Sequence, residues 1–350
     1  MVVRSKPDTG RAQRFATLRS ARLCLARLFR LGAATALAVA AFSVPARAVI
    51  FFNTSDPTHN TTEPTGELAG SGWQWVGRWG GFTGTVIGPH HFLAARHVGG
   101  NVGDTFEFRS ASYRTISVND DTTSDLRLWE VDGEFPDWAP LYRDLLETGQ
   151  PLIVIGRGLG RGAEVRVSGV LKGWQWDSTG GIQRWGRNTV AGTVDGGSYW
   201  GELIGATFDA AGGPDEAHLA TGDSSGPVFI NGGTGWKLAG IAAAVDGPFS
   251  TTGADSGFYA AIFDKRRLYE RAGTGWYYWT ANSSSGAIPS AFYATRVSVR
   301  ATWIDSIAPP PPVSTGDVPL LPPGSLLLLA AVLAALGMHA LRRTRLPSLP

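Results

Sequence analysis

The residues best suited to chemistry lie in Gly222-Asp223-Ser224-Ser225-Gly226, a serine pair held between glycines and preceded by an aspartate. A glycine-rich turn exposes a side-chain oxygen and lets backbone N–H groups approach a reacting carbonyl. Such a turn suits nucleophilic catalysis, in which a hydroxyl needs a neighbouring base and the base needs a group that orients it. His97 ends the apolar run Phe92-Leu93-Ala94-Ala95-Arg96, and Asp125 opens the alternating run Leu126-Arg127-Leu128-Trp129. The candidates therefore follow the order His, Asp, Ser. Asp120, Asp121 and Asp132 are rival acids read as residues of exposed turns. Ser225 is the second candidate nucleophile, and His90 and His91 sit in a polar turn as solvated side chains.

Two serine-hydrolase patterns compete for the turn. It fits the G-x-S-x-G elbow of α/β-hydrolases, in which the order is Ser, acid, His. Downstream of Ser224, however, the only histidine is His339, inside an apolar tail. The turn also resembles the G-D-S-G-G-P signature of trypsin-like (chymotrypsin-fold) serine proteases, with Ser225 replacing one glycine, and there the order is His, Asp, Ser. Ala95-Arg96-His97-Val98 stands in the places of that family's A-A-H-C, and Asp125-Leu126-Arg127-Leu128 begins like its D-I-A-L-L strand. Gly156-Arg157-Gly158 resembles the G-W-G that begins the second barrel. Trp236 to Val245 looks like the G-I-V-S-W-G strand, and Ser256-Gly257-Phe258-Tyr259-Ala260 looks like G-V-Y-T. Phe263 to Arg271 is then the expected closing helix.

The resemblance implies an all-β fold of two packed antiparallel barrels, about 71–148 and 149–271, with 272–305 as an extension that it does not place. It implies a catalytic triad of His97, Asp125 and Ser224, an oxyanion hole from the backbone N–H groups of Gly222 and Ser224, and a protein or peptide substrate. Aligned on the motif, His218 falls at the base of the P1 pocket, with Val245 and Gly257 on its walls. No acid stands at that base, so a Lys or Arg preference is not expected; Val245 narrows the pocket toward small or medium apolar residues. Family members often pair the aspartate before the serine, here Asp223, with a freed N-terminus, yet no activation site stands out. The alternative is a catalytically inactive trypsin-fold binding module, or an extracellular matrix or surface protein.

The elements that must position these residues are short strands. The 350 residues include 46 Gly and 13 Trp but only 2 Met, and helical periodicity is scarce. Gly-Trp-Gln-Trp occurs at 72–75 and again at 173–176, too little to establish a repeat. Residues 49–70 are polar and are expected to form a loose arm. Residues 1–30 are Arg-rich, Leu31 to Val44 is apolar, and Ala46-Arg47-Ala48 has the small-x-small form of a signal-peptidase site, so 1–48 reads as a signal peptide cut after Ala48. The net charge of +2 hides a division: residues 49–324 hold 19 basic and 28 acidic residues, a net of −9, which disfavours nucleic acid as a partner. Cys24, the single cysteine, lies in the leader, so the body has neither a disulfide nor a thiol nucleophile. No metal-ligand motif is present, and no cofactor is expected.

Residues 306–324 are a Pro-rich linker, and Ser325 to Leu341 is a short apolar segment followed by Arg342, Arg343 and Arg345. Those arginines favour the cytoplasmic side and leave the body outside. With Val318-Pro319-Leu320-Leu321-Pro322 before it, the tail (325–345) resembles the sorting tails of bacterial PEP-CTERM-type proteins. This implies export in a Gram-negative-type cell to the surface, matrix or periplasm, with initial tethering to the inner membrane. The expected processing partners are signal peptidase and an exosortase-type protease.

Overall fold

The computed structural model describes residues 48–280 and 286–310. The leader before Ala48, Cys24, most of the Pro-rich linker and the apolar tail with His339 lie outside the described residues. Among the described residues no helix is long and apolar enough to cross a membrane.

The chain is mostly β, and its first half is a closed six-stranded antiparallel barrel. Around the barrel the strands run Val76–Trp79, Phe82–Gly88, His91–Ala95, Leu126–Asp132, Ala111–Asp120 and Thr105–Phe108; the last pairs back with the first through Arg78 and Glu107. Alternation along these strands turns one face inward. Phe92 stacks on Phe106 at 4.0 Å between centroids, with Trp79 and Trp129 beside them. Leu126 and Leu128 are buried on one face, as the alternation of their strand predicts, whereas Val131 is buried on the other face with Trp129.

The second half is a seven-stranded sheet in the order Arg184–Thr189, Pro151–Gly156, Pro227–Asn231, Trp236–Val245, Ala291–Arg296, Glu202–Thr207 and Gly192–Asp195. Its two outer strands are consecutive in the chain. Val190 bonds to Gln150 and Ala191 to Gly205, so one bent stretch supplies both edges. Leu93, Leu126 and Leu128 of the barrel pack with Ile153, Ile155 and Phe229 of the sheet and with Ile304 of a closing helix, in one core that joins the halves.

Three expectations need correction. Phe263 to Arg271 is not the closing helix: its end enters strand Tyr269–Ala272 of a small sheet with Phe249–Ser250 and Gly275–Tyr278, and the helix is Ala301–Ile307. Gly257, expected on the pocket wall with Val245, is not brought there, because Ser256 to Ala260 does not pair with Trp236–Val245. That neighbour is Ala291–Arg296, in the register Ala242 to Ala294 and Val245 to Phe292, whereas Ala260–Ile262 pairs with strand Val170–Gly180. Residues 246–290 are thus an excursion between two adjacent strands. The arm is also not loose at its start. Val49, Ile50 and Phe51 are buried, and Ile50–Phe51 pairs with Ala217–His218.

Candidate active site

Strand His91–Ala95 ends in a single 3₁₀ turn, Arg96–Val98, which lifts His97 out of the sheet. The neighbouring strand is in register with it, Ala95 opposite Leu126, so the preceding residue, Asp125, lies beside that turn. The Arg96 N–H donates to the Asp125 carbonyl at 2.7 Å. The Asp125 side chain is fully buried; its Oδ1 accepts the His97 backbone N–H at 2.9 Å, and its Oδ2 lies 2.6 Å from His97 Nδ1. A carboxylate only accepts, so Nδ1 carries the proton and Nε2 is left as the basic nitrogen. Of the rival acids, Asp120 pairs with Arg127, Asp121 accepts from Thr123 and Ser124, and Asp132 is exposed at the far end of strand Leu126–Asp132. His90 Nδ1 lies against the Gly133 carbonyl, and neither His90 nor His91 reaches the cleft.

Ser224 shares a cleft of about 400 Å³ with His97. The turn that carries it is fixed from behind. Asp223 is buried, and its carboxylate accepts the Gly158 N–H at 2.7 Å and the Ala220 N–H at 2.8 Å. The Gly158 position tolerates no side chain, since a Cβ there would meet Asp223 N and Thr221 O, both at 2.5 Å. Gly222 takes φ +90, a conformation that favours glycine. Asp223 N bonds to Ala220 O, Ser225 N to Ala242 O and Gly226 N to Asp223 O. The N–H groups of Gly222 and Ser224 meet no acceptor among the described residues, and they flank the serine. Ser225, by contrast, is fully buried, at φ +68, and its Oγ accepts the Ala95 N–H at 2.9 Å. It does not reach the cleft.

The cleft walls are apolar. Trp176 stacks on Tyr259 at 4.6 Å and 10°, and the edge-on ring of Trp200 lies 5.6 Å from the His97 ring. Val245 lines the cleft; His218 and Gly257 do not. His218 lies fully buried between Phe208 and Phe292, its Nδ1 donating to Leu219 O at 2.7 Å. Burial pushes its pKa down, which keeps the ring neutral. Gly257 packs instead under Trp276. Trp176 and Tyr259 lie in stretches that the sequence singles out, but nothing local shows that they meet at the cleft, and no motif marks Trp200. Gly158 lies in a recognised Gly-Arg-Gly, but its contact with Asp223 leaves no local pattern.

Burial raises the Asp223 carboxyl to about 7 despite three backbone N–H donors, one of them from Val49. Glu216 is raised to about 8 by the same cause. Among the described residues no group of three or more His, Cys, Asp or Glu side chains is placed to hold a metal ion.

No family model and no curated protein matches the chain. Solved structures similar to it include the Rv3671c protease of M. tuberculosis. Its inactive form is 14% identical, with 67% of this chain and 87% of that one covered at a TM-score of 0.36. Its active form is 14% identical, with 66% and 75% covered and a TM-score of 0.37. The passenger domain of the plasmid-encoded toxin, an autotransporter enterotoxin of enteroaggregative Escherichia coli, is 12% identical, with 63% and 21% covered and a TM-score of 0.36.

Proposed function

We propose that the protein is a serine endopeptidase of the trypsin-like type. The observation that carries this is the double hold of Asp125 on His97 beside Ser224 in one cleft. Ser224 Oγ attacks the peptide carbonyl while His97 Nε2 takes its proton, giving a tetrahedral intermediate. The free N–H groups of Gly222 and Ser224 receive the oxyanion, a contribution of roughly 3–4 kcal/mol where such a donor has been removed. His97 then protonates the leaving amine, and water, deprotonated by the same nitrogen, hydrolyses the acyl-enzyme. Asp125 stabilises the imidazolium at both steps. The apolar walls around Val245, Trp176 and Tyr259 suit small or medium apolar P1 side chains.

Export fits the same reading. Cleavage after Ala48 turns the Val49 amide nitrogen, already a donor to Asp223, into an α-amino group beside that buried carboxylate. Removal of the leader then both releases the protein and stabilises the turn that carries Ser224. The apolar tail at 325–345 would tether the product to the inner membrane until an exosortase-type protease acts, and deliver it to the surface, matrix or periplasm.

The test is labelling of the full chain with a fluorophosphonate probe. Wild type should label, Ser224→Ala and His97→Ala should not, and Ser225→Ala should still label, at a reduced rate. A folded wild type that stays unlabelled with its N-terminus at Val49 would favour a binding module over an enzyme.

A further inference from the structure

The nucleophile turn and the histidine strand belong to different halves of the molecule, and one side chain links them directly. Ala95 is the last residue of strand His91–Ala95. Its N–H is buried and points across the seam between the halves to Ser225 Oγ at 2.9 Å. Two residues further on is His97; one residue before Ser225 is Ser224. Ser225 holds this place in a left-handed conformation, φ +68, that strains a serine but not a glycine. A glycine would fit the turn without strain but would leave the buried Ala95 N–H without its acceptor. The strain is therefore balanced by a bond that only a hydroxyl at this position makes.

We propose that Ser225 is a positioning residue, a clasp between the halves that sets the distance from His97 to Ser224. The inference rests on the serine endopeptidase reading for its effect on rate, but the clasp itself can be measured without activity. Proton transfer is steep in distance, and a misplacement of about 1 Å costs up to roughly a hundredfold in rate. Ser225 touches no substrate and transfers no proton; it acts through Ala95 and the turn that follows.

The experiment compares wild type, Ser225→Gly and Ser225→Ala in three measurements: amide hydrogen exchange at Ala95, the NMR titration of His97, and the rate of fluorophosphonate labelling. The expected result is faster exchange at Ala95 by at least ~10-fold in both variants, and a shifted His97 titration. Labelling should slow by roughly ten- to hundredfold. Ser225→Gly makes the sharpest contrast, because relief of the positive φ keeps its melting temperature at or above that of Ser225→Ala while labelling remains slow. Unchanged exchange at Ala95 overturns the clasp. Faster exchange with a wild-type His97 titration and wild-type labelling overturns the positioning role. If wild type itself does not label, the enzymatic reading fails separately, and the His97 titration still decides whether Ser225 sets that residue's surroundings.

Discussion

Asp125 holds His97 at two points, accepting the backbone N–H through Oδ1 at 2.9 Å and facing ring Nδ1 through Oδ2 at 2.6 Å. The first bond fixes where the residue sits; the second fixes which way its ring turns and which nitrogen is basic. Asp125→Asn presents an amide NH₂ to one of those points and so disturbs position or tautomer. The labelling rate should fall by about 10³–10⁴, with the melting temperature changing little. A variant that labels within tenfold of wild type would remove Asp125 from the catalytic role.

Asp223 makes stability depend on whether Val49 is a chain terminus. Burial raises its carboxyl from 3.8 to about 7 where Val49 is an ordinary amide. The folded state then favours the neutral acid, so the stability it contributes is complete below the unfolded value and is lost as pH rises through about 7. An α-amino group at Val49 favours the carboxylate and removes that loss. Melting temperature measured against pH should decline between about 4 and 7 for the chain with its leader, and stay flatter for the chain that begins at Val49. Asp223→Asn should erase the difference between the two forms.

Glu147 lies on the connection between the halves with its side chain fully buried. It takes Arg296 at 2.7 and 2.8 Å and also accepts from Ser298. These bonds outweigh burial and hold its pKa below the usual 4.5. Glu147→Gln leaves Arg296 with half-exposed Glu202 as its remaining carboxylate. The expected loss is toward the lower end of about 3–5 kcal/mol in denaturant unfolding. Because the pKa is depressed, the contribution is present above 4.5 and lost on acidification, so the wild type should lose more stability below that pH than Glu147→Gln does.

The backs of Gly158 and Asp223 are in contact, and Gly158→Ala drives a methyl group into backbone atoms at 2.5 Å. Neither Asp223 N nor Thr221 O can rotate away. The variant should lose about 1–3 kcal/mol, and labelling should fall with it because the displaced segment carries Ser224. Gly169→Ala gives the contrast: its Cβ would meet no atom within 4 Å, but its φ of +80 carries strain alone.

Val245, not His218, faces the cleft. In peptide substrates that differ only at P1, Val245→Gly should raise kcat/KM for phenylalanine relative to alanine by roughly tenfold or more. His218→Leu should leave that ratio unchanged.

The first barrel was legible because strands such as Thr105–Phe108 alternate and most of its strands follow one another as neighbours. His97 and Asp125 lie at the ends of such strands, where register alone brings them together. The second half was harder for a physical reason. The partner of strand Trp236–Val245 begins at Ala291, and the intervening residues include strand-like segments such as Ala260–Ile262 that pair elsewhere. Local pattern identifies a strand but does not say which edge receives it. Motif order therefore points to a wall residue and a closing helix one excursion too early, and Gly257 forms no part of the wall. The same tetrapeptide makes the point in miniature. Gly-Trp-Gln-Trp holds a 3₁₀ turn at Trp73–Trp75 and a strand at 173–176, so surroundings decided where propensity did not. His218 was misplaced because counting back six residues from Ser224 ignores the bend that sends Ala217–His218 to pair with Ile50–Phe51.

The stretch from Arg184 to Asp195 pairs on one side with Pro151–Gly156 and on the other with Glu202–Thr207. A sheet of this width ordinarily ends in two rows of unpaired backbone groups, each a template on which a second molecule can add a strand. Here one continuous segment occupies both ends, so the two rows are drawn together in the same twelve residues. Arg187 is further tied to Asp215, and Trp185 to Asn60. This sheet thus offers little backbone for a second copy to zip onto, and that protection resides in the bend at Val190 and Ala191.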